Sequence, residues 1–256
     1  YLRALDYPGG RGGSDPAGLG GHFSVKGAYR RRINDGFYLQ LSGAAQYQMV
    51  ERAGFNARFS GELADEAGVF IAQGTPAAPI TLREDWKQSA LVFAFGPSLG
   101  LHEEEGGKLL NHGSLGFEAL LARGMVGYSS EMFARNGTSI QKADLSGWGL
   151  GFGVRMELIK RILGIPLNLE GGYRVLKVKP LTGILSTDDR FGSSTRKEDY
   201  DVTAVYVPAS YAYTGSDFFN FGNVARFAQG DPPADVPRLA MDLGGFSLAL
   251  MARVGF

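Results

Sequence analysis

"FSLALMARVGF", residues 246–256, closes the chain, and its reading decides the fold. Phe246, Leu248, Leu250, Ala252, Val254 and Phe256 occupy alternate positions, with Ser247 and Arg253 between them. Side chains alternate across a strand, so this is a ribbon with one greasy face and one mixed face. The same period recurs upstream. "GFYLQLSGAAQYQMV" sets Phe37, Leu39, Leu41, Tyr47 and Met49 against Tyr38, Gln40, Ser42, Gln46 and Gln48. "SGWGLGFGVRMELIK" sets Trp148, Leu150, Phe152, Val154, Met156 and Leu158 against Gly147, Gly149, Gly151, Gly153, Arg155 and Glu157. Residues 22–31, 87–102, 113–123 and 166–179 repeat the pattern.

A soluble sandwich also alternates, so length and charge have to separate the cases. These segments run to about ten residues or more, the length a tilted strand needs to cross a bilayer. Their apolar faces carry no charge. The opposite faces carry Lys26, Arg30, Glu118, Arg155, Glu157, Glu170, Arg174 and Arg253. Arg30, Arg155, Glu157, Glu170 and Arg253 fall near one strand end, and Lys26, Glu118 and Arg174 fall a layer above. Unpaired buried charges are strongly unfavourable, so mixed signs at one level predict ion pairs across an interior. The expectation is a lumen closed near that end, with a hydrated pocket above it lined by the glycines of 147–153, Ser42 and Gln40.

The connections alternate. Those at 32–36, 103–108 and 161–165 are short; those at 8–21, 50–86, 124–145 and 180–238 are long. With a weak first strand at 1–7 the count is eight. "DVTAVYVPASYAY" (201–213) and "DFFNFGNVARFAQ" (217–229) supply two further candidates, making ten. Pro208 would remove a ladder hydrogen bond, and Asn220, Asn223 and Arg226 are polar, which favours a hairpin extending the wall.

The last strand resembles the C-terminal assembly signature of bacterial outer-membrane β-barrel proteins, which end on an aromatic after alternating apolar residues. The chain as a whole is similar to small barrels of the OmpA/OmpX-like type. The resemblance implies an all-β antiparallel transmembrane barrel over residues 1–256, with short periplasmic turns, long extracellular loops and a long loop or hairpin at 180–238. It implies location in the bacterial outer membrane among outer-membrane lipid and lipopolysaccharide. It also implies that the barrel-insertion machinery reads Phe246, Leu248, Leu250, Val254 and Phe256.

Composition removes other classes. Lys plus Arg (26) equal Asp plus Glu (26), so no broad electrostatic footprint for nucleic acid exists. The absence of cysteine removes disulfides and thiolate metal sites. The opening "YLRALDYPGG" lacks a basic-then-apolar layout, so any secretion leader is expected to have been removed.

Local motifs add little chemistry. "GWGLGFGV" has the strict spacing of a strand face, whereas phosphate-binding glycine loops lead into a helix. His22/Ser24 and His112/Ser114 each allow a base beside a hydroxyl nucleophile. The lipid A 3-O-deacylases use such a pair facing lipid, whereas here both pairs point inward, opposite Phe23 and Leu115. Asp188 and Asp189 have no histidine downstream to pair with. No cofactor or catalytic residue is therefore assigned. Function is expected in the loops of a non-enzymatic platform that binds a partner or a neighbouring envelope subunit. Tyr206, Tyr211, Tyr213, Phe218, Phe219 and Phe221 are candidate contacts, although aromatics there also suit internal packing. A narrow channel and a lipid A-modifying enzyme are the alternatives.

Overall fold

The structure, a computed structural model, describes residues 11–15, 21–34, 36–64, 71–102, 112–162, 165–206, 218–219, 225–232, 234 and 236–252. Every regular element among them is a strand. In chain order these are β1 (Arg11–Asp15), β2 (Gly21–Arg32), β3 (Phe37–Phe59), β4 (Gly61–Ala64) and β5 (Ile71–Gly74). Then come β6 (Ile80–His102), β7 (His112–Ala134), β8 (Gly137–Ile162), β9 (Ile165–Val178) and β10 (Thr182–Phe191). The last are β11 (Ser194–Tyr206), β12 (Phe218–Phe219), β13 (Ala225–Gln229), β14 (Met241–Asp242) and β15 (Gly245–Ala252). All but β4 and β5, which pair with each other, join one large antiparallel sheet.

Two ladders share the long central strands. At the end carrying the β2–β3 and β8–β9 turns, here the lower end, the neighbours run β2-β3-β6-β7-β8-β9-β15. At the upper end they run β1-β3-β6-β7-β8-β10-β11-β13. β8 changes partner on the way up: Gly151–Ile162 pair with β9, and Gly137–Ser146 pair with β10. The chain at 177–181 crosses at that junction. A Cβ on Gly147, Gly149 or Gly151 would strike the backbone of Pro180, Lys177 or Val175. The expectation of lumen space beside these glycines is thus corrected: their missing side chains let a neighbouring backbone pass.

Most of the expected long loops are strand. β3 and β6 stay paired to Phe59↔Ile80, and β7 and β8 to Ala134↔Gly137, leaving only Arg135 and Asn136 as the turn. The segments 50–86 and 124–145 are therefore extended hairpins, and one connection at the upper end is as tight as any below. The 180–238 segment is similarly ordered where described, with β10 pairing β8 and β11 pairing β13. None of it enters between β9 and β15, which pair directly from Gly245↔Arg174 to Ala252↔Leu167. The candidate first strand at 1–7 lies outside the described residues.

Local chemistry sets the turns and irregularities. Asn34 Oδ1 accepts from the backbone N–H of Gly36 (3.0 Å) and Phe37 (2.9 Å), an Asx turn that reverses the chain between β2 and β3. Pro97 has no N–H, and the β6–β7 ladder skips from Phe95↔Ala119 to Ser98↔Gly116 around it. Tyr38 lays its ring over Gly100 on the adjacent strand, space that a side chain there would occupy.

Candidate functional site

The sheet is curled strongly enough to bring its two ends across one interior. β2 and β9 are five strands apart in the ladder, about 24 Å if the sheet were flat. Yet Lys26 Nζ lies 2.8 Å from Glu170 Oε2 and 3.8 Å from Glu157 Oε2. Arg174 of β9 donates to Gln46 Oε1 (3.2 Å) and Gln48 Oε1 (3.1 Å) of β3, and through Nε to the Leu243 carbonyl (2.6 Å). Backbone pairing between β2 and β15 is not among the described contacts; side chains make the connection.

Within the lower interior Lys26, Arg155, Glu118, Glu157 and Glu170, among the predicted charges, each meet a partner of opposite sign. Arg155 sends Nη1 to Glu118 Oε1 and Nη2 to Ser42 Oγ, both at 2.7 Å, and Ser42 Oγ donates to the Gly96 carbonyl. Arg155 and Glu157 are 6% and 3% exposed, so these charges are removed from solvent and depend on their partners, Glu118 for Arg155 and Lys26 for Glu157. Arg30 donates to Gln40 Oε1 and places its guanidinium 5.1 Å from the Tyr38 ring centre. The two expected layers are one network, because Arg155 reaches Glu118 above it and Lys26 reaches down to Glu157 and Glu170. Gln40 Nε2 and Ser98 Oγ are buried beside it without a hydrogen-bond partner. Arg253 lies outside the described residues.

Above the charges the interior is apolar, which corrects the expectation of a hydrated pocket. Ala90, Val92, Ala94, Leu120, Ala122, Leu176 and Val178 form a packed cluster with Met241 and Leu243. Higher still, Trp86, Tyr128 and Phe227 pack ring on ring, with centroids 4.5–5.9 Å apart. Phe227 comes from β13, four strands along the ladder from β7, so the 180–238 segment fills the interior with its own side chain. Ser42 and Gln40 belong to the charged network instead of a pocket wall.

The outer face has the opposite character in its lower part. Phe93, Phe95, Leu99, Leu101, Leu115, Phe117, Leu121, Leu150, Phe152 and Met156 all point away from the interior and are exposed. Leu150 is 80% exposed, and Phe246 and Leu248 of β15 reach 91% and 79%. Between Leu91 and Leu101, and between Trp148 and Leu158, no outward position is charged. Ten residues at about 3.3 Å, tilted by about 40°, give this band a height near 25 Å.

The remaining predicted positions divide simply. Ser114 is interior and buried while its neighbour Leu115 faces out, so this serine does not face the apolar band. Tyr206, Phe218 and Phe219 lie on strands, and Leu250 lies on β15; Tyr211, Tyr213, Phe221, Val254 and Phe256 lie outside the described residues. Internal packing was one of the expectations for the aromatics of 206–227, and Phe227 meets it; the clasp of Arg174 on Leu243 was not foreseen, since nothing in the spacing signals it. Among the described residues no group of three or more acidic or histidine side chains is arranged to hold a metal ion. Compared with known proteins, the chain matches no family model and no curated relative.

Proposed function

We propose that this chain is an integral outer-membrane β-barrel of eight strands with an occluded lumen, serving as a non-enzymatic platform whose upper hairpins bind a partner or a neighbouring envelope subunit. One observation carries the reading: an uncharged, exposed apolar band about 25 Å tall lies on the outer face of a curled sheet whose inner face holds paired charges. Exposed apolar patches of this extent are foreign to monomeric soluble proteins and need another solvent. Seven strands form the lower ladder among the described residues, and eight is the next count that the even-number rule for bacterial barrels allows. The C-terminal strand then descends to the periplasm, and the long hairpins stand outside the cell.

Occlusion follows from the Arg155–Glu118 and Lys26–Glu170 pairs below and the Phe227 plug above. The partner-binding surface is the tip of β10–β11, where Asp188, Arg190, Arg196, Lys197 and Glu198 are clustered and accessible. A narrow conduit is the second reading, favoured by the unpartnered Gln40 Nε2 and Ser98 Oγ, which a file of water would satisfy. The lipid A-modifying alternative gains nothing from a serine turned to the interior.

Planar-bilayer recording tests the choice. The platform reading expects no steady conductance from the intact chain, and a stable open level would replace it with the conduit. Pull-down from envelope extract with the Arg190→Glu/Lys197→Glu variant tests the tip; unchanged partners would remove it as the contact surface.

A further inference from the structure

On the outer face, just above the apolar band, a groove of about 470 Å³ crosses β3, β6, β7 and β8. Register explains its shape. Arg123 pairs with Trp148, the uppermost aromatic of the band on β8, and its guanidinium lies 5.8 Å from that ring centre. One row up, Ser89 and Ser146 flank Met125 with short side chains. In the next row Gly127 separates Lys87 from Asp144, and the nearest atoms to a Cβ built there are 3.9–4.0 Å away. The floor is therefore open, with Tyr47 and Met49 as one wall. Arg123 and Lys87 stand below and above it, roughly 13 Å apart along the strands.

The geometry points to a binding site for one phosphate-bearing lipid of the surrounding bilayer, its headgroup between Lys87 and Arg123 and its acyl chain running down past Tyr47 and Trp148 onto the band. The inference rests on the membrane reading above and names a ligand and its residues. Three features support a lipid over a soluble anion. The groove opens sideways onto the apolar band. Its lower cation already stacks on the aromatic at the band's edge. Arg123 and Lys87 make no ion pair among the described residues, so their charge is available. Asp144 at the far side of Gly127 opposes an anion, and that gives the proposal a sign to test.

The experiment uses the full chain in dodecyl maltoside micelles, with lipid retention read by native mass spectrometry. Phosphatidylglycerol is expected to be retained in preference to zwitterionic phosphatidylcholine. Lys87→Gln and Arg123→Gln should each weaken retention about fivefold, the effect of one cation near a charged headgroup. Asp144→Asn should strengthen it, and Gly127→Val, which fills the floor without changing charge, should weaken it. Far-UV circular dichroism checks that each variant keeps its strand content, and the opposite sign of Asp144→Asn holds whatever a destabilised variant does. Equal retention of the two lipids, or retention unchanged in Lys87→Gln/Arg123→Gln, would overturn the site. Displacement by inorganic phosphate at matched concentration would overturn the lipid as its occupant. A chain that stays monodisperse in plain buffer without detergent would fail earlier, at the membrane reading itself.

Discussion

The same strands turn inside out along their length. In the lower half of β6, β7 and β8 the outer face is Phe95, Leu99, Phe117, Leu150 and Phe152, and the interior holds Ser98, Ser114, Glu118, Arg155 and Glu157. In the upper half the interior holds Leu82, Trp86, Val126, Tyr128 and Leu145, while Arg83, Lys87, Lys142 and Asp144 face outward. The upper half is an ordinary protein with water outside and a core inside. The lower half inverts that arrangement, with apolar side chains outside and paired charges inside; on the membrane reading proposed above, its outside is lipid. The comparison teaches that one backbone architecture carries two opposite side-chain patterns, and that the side chains alone set the solvent each half suits.

Breaking the lower interior should cost most. Arg155→Leu leaves the half-buried Glu118 without its ion-pair partner and with only the charge of Arg174 nearby, a loss of up to about 3–5 kcal/mol in a urea titration of the reconstituted chain. Adding Glu118→Leu should recover a large part of it. Phe227→Ala in the upper core should cost a similar amount, about 3–5 kcal/mol, but through lost packing, so no second charge change rescues it. Phe152→Arg separates the two solvents most directly. Near the mid-height of the outer band it should cost about 2–4 kcal/mol in lipid, whereas on a water-facing sheet it would stay within about 0.5 kcal/mol. Lys142→Leu on the upper outer face is the matched control and should stay within that smaller range.

The smallest effect concerns protons. Arg190, by hydrogen bond, and then Lys197 hold the Asp188 carboxyl at about 2, well below the ordinary aspartate value. A carboxyl depressed in the folded state favours the β10–β11 tip above about pH 4. That contribution fades as pH falls through about 2. A carbon-detected carboxyl titration by NMR should show this midpoint, and Arg190→Gln should move it up. Arg196 similarly lowers the Glu198 value.

Much of this was legible from residues. The outer faces of residues 37–49 and 147–158, and the charges that now pair, follow from period two and from the cost of isolated buried charge. The upper half was not legible, for a physical reason. In β7 the apolar residues occupy odd positions from Leu115 to Leu121, then even positions from Leu120 to Met132. In β8 they pass from odd positions at Ala143 and Leu145 to even ones from Trp148 onward. A shift of phase looks like the end of a strand when only alternation is followed, so continuing strand passed for loop. The crowding at Gly147 and Gly149 was equally hidden, since the backbone they admit at 177–180 is about thirty residues away in sequence.

Arg174 has a consequence for how the molecule is completed. Its guanidinium takes acceptors from the first long hairpin, at Gln46 and Gln48, and from the segment leading into the last strand, at Leu243. No partial chain offers both. The side chain thus works as a coincidence detector, satisfied only when early and late parts of the polypeptide have arrived together, and it ties the seating of the final strand to the presence of the first hairpin.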